Sequence, residues 1–345
     1  MMPDMRMVTS GCLGVCLVAS AAVTGCGGDD AGSLYSSTAA TAADGLEGVD
    51  GGEAPSETGA EQGTGNEDGP LLDMDDGGMA TADDGMGTQS QCAKVDVLYV
   101  IDNSPSMYDE QLTLIQNFDA FVSDMQLALA DVDSYHVGVV TSDNYLDEGF
   151  LDDSSPTVNK DHVDCRLLGG MVVQGQAGDC TPFASGDNYL TEDDNLAAEF
   201  QCIANVGEDG DSDERMGDAL INAVNAGRLT TGCNRNFIRD DALLIVVMLT
   251  DENDSSNTNE QEWFDTLVNA KGTEENVVML SLIWDSSWNN CDSSLSESDG
   301  YQIENFTEMF TNHAVGNICD SSYAGFFQNA IPTITGACEN FTPVE

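Results

Sequence analysis

In the stretch VDVLYVIDNSPSMYDEQ (95 to 111), an apolar run from Val97 to Ile101 ends in Asp102, and two serines follow at alternate positions, Ser104 and Ser106. A carboxylate and two hydroxyls on one turn are hard oxygen donors, of the kind that hold Mg²⁺, Ca²⁺ or Mn²⁺. A second apolar run, ALLIVVMLTDE (242 to 252), also ends in an aspartate, Asp251. An acid from a distant strand that stops at the same sheet edge would complete the shell that Asp102, Ser104 and Ser106 begin. The candidate chemistry is therefore the binding of a divalent cation.

The elements that must position these residues are legible from Cys92 onward. VDVLYVID (95 to 102) reads as a strand apolar on both faces, and YHVGVVTSD (135 to 143) as a second. Between them Leu112, Ile115, Phe118, Phe121, Val122 and Met125 recur at helical spacing. Residues 144 to 194 are polar and read as an inserted loop region with small strands. NLAAEFQCIANVG and RMGDALINAVNAG read as helices closed by glycine. After the strand that ends at Asp251 come a helix (NEQEWFDTLVNAKG), a strand (ENVVMLSLIW), a helix (YQIENFTEMF) and a last helix on AGFFQNAIPTI. Alternating strands and helices predict an α/β fold, a doubly wound and mostly parallel sheet with flanking helices. In such sheets ligands sit beyond the carboxyl ends of the strands, where Asp102 and Asp251 fall.

At this point the chain resembles the von Willebrand factor type A (vWA) family, whose members bind an ion at a metal-ion-dependent adhesion site. DNSPS matches the family's first motif at Asp102, Ser104 and Ser106, VVMLTDE places Asp251 in the second aspartate's role, and the order of elements fits over 95 to 338. The resemblance implies the Rossmann-like doubly wound sheet of that family. It also implies a threonine ligand before a middle helix. Alignment on MGDALINAV puts Glu214 of GEDGDSDERMGDAL near that place, with Asp211, Ser212 and Asp213 as alternatives of register. A third carboxylate would make the shell formally anionic, less attractive to a partner's acid and better suited to Ca²⁺ than to Mg²⁺. The segments VIDNSPSM, HVGVVTSD, FQCIANVG, FIRDDALLIVV and LTDE also resemble exported lipoproteins of myxobacteria and their relatives.

The first 25 residues read as a lipoprotein signal. Arg6 precedes an apolar core from Leu13 to Val23, and the stretch ends AVTGC. That core is too short for a hydrocarbon layer, which takes about 20 residues. The ending resembles a lipobox, which makes Cys26 the lipid-bearing residue. Gly27 and Gly28 follow it with no aspartate, which favours the outer membrane or cell surface of a Gram-negative envelope. Residues 26 to 91 form an acidic spacer, with 15 acids and no bases after Cys26 and almost no aromatic residue, a composition that predicts disorder. The folded part is then 92 to 345. Its eight cysteines, Cys92, Cys165, Cys180, Cys202, Cys233, Cys291, Cys319 and Cys338, are an even set in an exported chain and predict disulfide-braced loops.

The formal net charge is −53, from 62 acids against 9 bases, and the folded part carries 46 acids against 8 bases. Binding to nucleic acid or to an anionic membrane face through charge is excluded, so contact with a membrane runs through the lipid anchor only. His136, His162 and His313 are scattered, and no cysteines stand at zinc-finger spacing. EDGDSDE (208 to 214) and DENDSSNTNEQE (251 to 262) lack an EF-hand's sixth-position glycine, although Glu252 or Asp254 could serve a second, loop-borne Ca²⁺. Trp263, Trp284 and Trp288 are expected to pack the core and its loops. A phosphatase of the haloacid-dehalogenase type needs Asp-x-Asp where this chain has Asp102, Asn103 and Ser104, and no other catalytic motif is present. The expectation is therefore not an enzyme. It is an envelope lipoprotein displaying a cation-bearing domain to a protein or polymer partner or, alternatively, a structural envelope component whose ion only stabilises the fold.

Overall fold

The computed structural model describes residues 92–128, 132–143, 158–210, 213–288, 291 and 299–344, all within the second of two compact units, Ala80–Glu345. The signal, Cys26 and the acidic spacer lie outside the described residues, as do Asp211 and Ser212.

The longest apolar runs become the strands. β1 (Lys94–Ile101), β2 (Ser134–Thr141), β5 (Leu243–Thr250) and β6 (Val277–Ile283) are buried along nearly their whole length. With β7 (His313–Asn317) they form one sheet in the order β2-β1-β5-β6-β7, and every pairing is parallel. Strands buried on both faces require helices on both faces. α1 (Tyr108–Ala128) packs between α2 (Leu196–Ala204) and α7 (Ala324–Glu339). α5 (Glu260–Lys271) packs between α3 (Met216–Ala223) and α6 (Tyr301–Thr307). Aromatic rings fill the joints: Phe118 stacks on Phe200, Phe121 meets Phe327, and Trp263 stands edge-on to Phe306. This is the expected doubly wound α/β architecture. Among the described residues, no helix is long and apolar enough to cross a membrane.

Three details differ from the sequence reading. The edge strand β7 was not anticipated: it is five residues long and half-exposed throughout, so it has no continuous apolar run to mark it. α2 ends at Ala204 with Asn205 as its cap, and α3 at Ala223 with Val224 as its cap, so neither is closed by glycine. Gly227 instead lies inside a short extra helix, α4 (Ala226–Thr230). The inserted region does contain small strands, β3 (Gln174–Gly175) and β4 (Gly178–Asp179), paired antiparallel. It covers the free edge of β2 through Val137 and Leu190, which exchange two backbone hydrogen bonds at 2.9 Å.

All eight cysteines of the folded part pair, as Cys92–Cys338, Cys165–Cys233, Cys180–Cys202 and Cys291–Cys319. At the amino ends of the strands, Arg239 grips Asp96 through Nε at 2.8 Å and its own backbone N–H at 2.7 Å, and donates to Ser134 Oγ at 2.7 Å. Lys271, fully buried, donates to the Arg239 carbonyl at 2.5 Å. His136 Nδ1 lies 2.7 Å from the Phe237 carbonyl. This cluster is a structural clamp at the end of the sheet opposite the strand-ending acids.

Candidate metal centre

Asp102 is the first residue past β1 and is fully buried. Its backbone N–H donates to the Leu249 carbonyl at 3.0 Å, so the ladder between β1 and β5 carries on into the turn. One carboxylate oxygen accepts the Ser104 N–H at 2.8 Å, and the other accepts the Thr250 hydroxyl at 2.7 Å. The chain then doubles back, with the Met107 N–H on the Ser104 carbonyl at 3.2 Å, and the hydroxyls of Ser104 and Ser106 come 3.2 Å apart. The Asp-x-Ser-x-Ser turn therefore gathers its oxygens as the spacing predicts.

Asp251 follows β5 directly and is 4 % exposed. It hydrogen-bonds with the Ser106 side chain and lies within the field of Asp102. Burial, then the Asp102 charge, pushes its pKa up to about 7. The two strand-ending acids and both serines thus meet at the carboxyl edge of the sheet.

Glu214, 1 % exposed, joins them. Asp213, one of the alternatives of register, is exposed instead. One Glu214 oxygen accepts the Ser142 hydroxyl at 2.7 Å, and the other, Oε1, is buried with no donor among the described residues other than a proton shared with Asp102. Burial first, and then the neighbouring Asp102 carboxylate, raise the Glu214 pKa far above the ordinary range; burial also raises that of Asp102. Among the described residues, no Lys, Arg or His pairs with Asp102 or Glu214. Two buried carboxyl groups in contact are balanced either by a proton held between them or by a cation. The donor set of carboxylates and hydroxyls suits a hard divalent ion. Asp102 is the common neighbour, since its charge acts on both Glu214 and Asp251. Among the described residues, no three His, Cys, Asp or Glu side chains form a ready-made ligand cage, so a site here depends on the serine hydroxyls as well as the acids.

Several residues that hold this arrangement were not singled out in the sequence. Asn103 donates to Asp143 at 2.8 Å through its side chain, and its carbonyl accepts the Gly210 N–H at 2.9 Å. A Cβ at Gly210 would stand 2.4 Å from that carbonyl, so only glycine permits the approach. Gln111 reaches from α1 to bracket Gly207, donating to its carbonyl at 2.9 Å and accepting its N–H at 3.0 Å. The Ser255 N–H closes on the Glu214 carbonyl at 2.6 Å. The loop bearing Glu214 is therefore stitched to the turns after β1 and β5. None of these links has a periodic signature. A bulk clue existed only in the concentration of Asn, Gly, Ser and Asp at the strand ends.

Asp254, considered for a second ion, spends its carboxylate on the Gly217 N–H at 3.1 Å, the Ser256 N–H at 2.8 Å and the Ser256 hydroxyl at 3.0 Å. It braces the start of α3. Trp263 is core, as expected, while Trp284 is buried except for the face that lines a pocket beside Ser106 and Asp251.

No family model matches the sequence, and no curated protein matches it. Solved structures do. A von Willebrand factor type A protein from Catenulispora acidiphila is 15 % identical, with 69 % of this chain and 42 % of that one covered, at a TM-score of 0.39. Proximal thread matrix protein 1 from the mussel byssus is 10 % identical, with 71 % and 49 % covered, at a TM-score of 0.37. A structure of the mussel protein with a zinc-occupied MIDAS motif is also 10 % identical, with 71 % and 48 % covered, at 0.36. The chain spans less than half the length of the solved structures it matches. At these TM-scores the fold description rests on the topology of the chain itself.

Proposed function

We propose that the protein is an envelope lipoprotein whose vWA-like domain holds one divalent cation, Mg²⁺ or Ca²⁺, and binds a protein or polymer partner through it. Asp102, Ser104, Ser106 and Asp251 would hold the ion, with Glu214 as the further carboxylate in place of the family's threonine. The ion would supply a positive charge and open ligand positions to the partner's oxygen atoms. The observation that carries the reading is the convergence of buried acids from β1, β5 and the Glu214 loop with no cationic side chain paired with Asp102 or Glu214 among the described residues. Binding is favoured over catalysis because Asn103, which stands where a phosphatase needs an acid, is tied to Asp143 at 2.8 Å. Anchoring at Cys26 rests on the AVTGC ending and the acidic spacer behind it. Mass spectrometry of the mature amino terminus, with Cys26→Ser as control, tests the anchor.

The alternative, an ion that only stabilises the fold, draws on the depth of the site, since Asp102 is fully buried and Glu214 1 % exposed. A bound ion at 100 times its dissociation constant adds about 2.7 kcal/mol, which is enough for that role. Binding of the purified chain to envelope preparations separates the two. Loss of binding both with chelator and in Asp102→Ala, with the domain still folded, supports recognition through the ion. A chelator that lowers only the melting temperature supports the structural role.

A further inference from the structure

Ser142 is the first residue past β2, fully buried, and it meets the loop that carries Glu214. Its hydroxyl donates to one Glu214 oxygen at 2.7 Å, which leaves the other oxygen against Asp102. Asn103 Oδ1 lies 3.3 Å from the same hydroxyl, and the Asn103 amide donates to Asp143 at 2.8 Å, so the end of β2 is tied to the turn after β1. The backbone under Glu214 is pinned as well, with the Ser255 N–H on its carbonyl at 2.6 Å. A glutamate has freely turning bonds, and a hydrogen bond to one oxygen fixes where the other points.

We propose that the ion is Ca²⁺ and that Ser142 sets this selectivity, as the positioning residue that holds Glu214 inward as a third carboxylate. The inference rests on the cation site proposed above. Mg²⁺ demands an octahedron at about 2.0–2.1 Å, keeps several of its waters and is usually held by one or two carboxylates, whereas Ca²⁺ takes about 6–8 oxygens at about 2.3–2.6 Å. Asp102, Ser104, Glu214 and Asp251 are each at most 4 % exposed, which leaves little space for retained water. Three fixed carboxylates and the hydroxyls of Ser104 and Ser106 therefore match the ion that gives up its waters more readily. Ser142 acts through Glu214 and does not itself need to touch the ion.

Calorimetric titration of the metal-free full chain with Ca²⁺ and, separately, with Mg²⁺ tests this. The parent is expected to bind one Ca²⁺ more tightly than Mg²⁺. Ser142→Ala should weaken Ca²⁺ about 10–100-fold and Mg²⁺ by less, so that the ratio of the two affinities contracts. Glu214→Gln should contract the ratio too, and adding Ser142→Ala to it should change little more, because the two residues act as one unit. Asp193→Asn, at an exposed acid in the region that covers β2, should leave the ratio unchanged. Should Ser142→Ala fail to fold, Ser142→Cys, close in shape with a weak donor, takes its place. Equal affinity of the parent for the two ions overturns the proposal and leaves the cation site standing. Equal weakening of both ions by Ser142→Ala does the same, since it marks a merely structural role. A parent that binds neither ion removes the cation site itself.

Discussion

The Thr250 hydroxyl donates to the Asp102 carboxylate at 2.7 Å, so the last residue of β5 holds the acid that ends β1. Thr250→Val keeps the shape and removes the donor, leaving a buried carboxylate oxygen short of a partner. Hydrogen bonds to charged groups contribute about 1.5–3 kcal/mol, and urea unfolding with the disulfides intact should show a loss of that order. An unchanged midpoint would mean that Asp102 is not charged there.

Glu214→Gln should act with opposite signs on two measurements. Without metal, the substitution removes a buried carboxyl group pressed against Asp102, and the melting temperature should rise. With saturating Ca²⁺ or Mg²⁺, the increase in melting temperature caused by the ion should shrink. A full ion-induced increase in the variant would remove Glu214 from the ligand set.

Gly210→Ala puts a methyl group 2.4 Å from the Asn103 carbonyl, where the Gly210 N–H now donates at 2.9 Å. Neither backbone can yield without moving the Glu214 loop off the Asp102 turn. Destabilisation of about 1–3 kcal/mol is expected, as for other overpacked sites, together with weaker cation binding. Titration calorimetry and urea unfolding on the same variant measure both.

The clamp at the other end of the sheet makes a pH prediction. Burial raises Asp96 to about 6 from an ordinary 3.8, against the pull of Arg239, so the folded state holds that proton more tightly than the unfolded chain. Its contribution to stability falls as pH climbs from about 4 to about 6. Burial lowers His136 to about 4 from 6.5, so the unfolded chain protonates more readily, and this contribution rises over about pH 4 to 6.5. The two oppose each other. In His136→Gln the rising contribution is gone, and unfolding free energy relative to the parent should fall by about 1–2 kcal/mol between pH 4 and 6.5. A difference that does not vary with pH would contradict a neutral, buried His136.

Much of the sheet was legible because β1, β2, β5 and β6 are buried along almost every residue, and such runs can hardly be anything else. β7 was not, since an edge strand of five half-exposed residues needs no apolar run. Asp102, Ser104, Ser106 and Asp251 stood out because each follows a buried strand within a few residues. Asn103, Gln111, Ser142 and Thr250 did not, because their partners are set by how three loops meet in space, which leaves no period in the chain.

Equilibrium dialysis of the purified full chain against Mg²⁺ and Ca²⁺, followed by metal analysis of the parent and Asp102→Asn, tests the cation site most directly. One tightly held ion per parent chain, lost in the variant while its circular dichroism is unchanged, is the expected result. A parent that retains no ion, or a variant that retains as much as the parent, would contradict it.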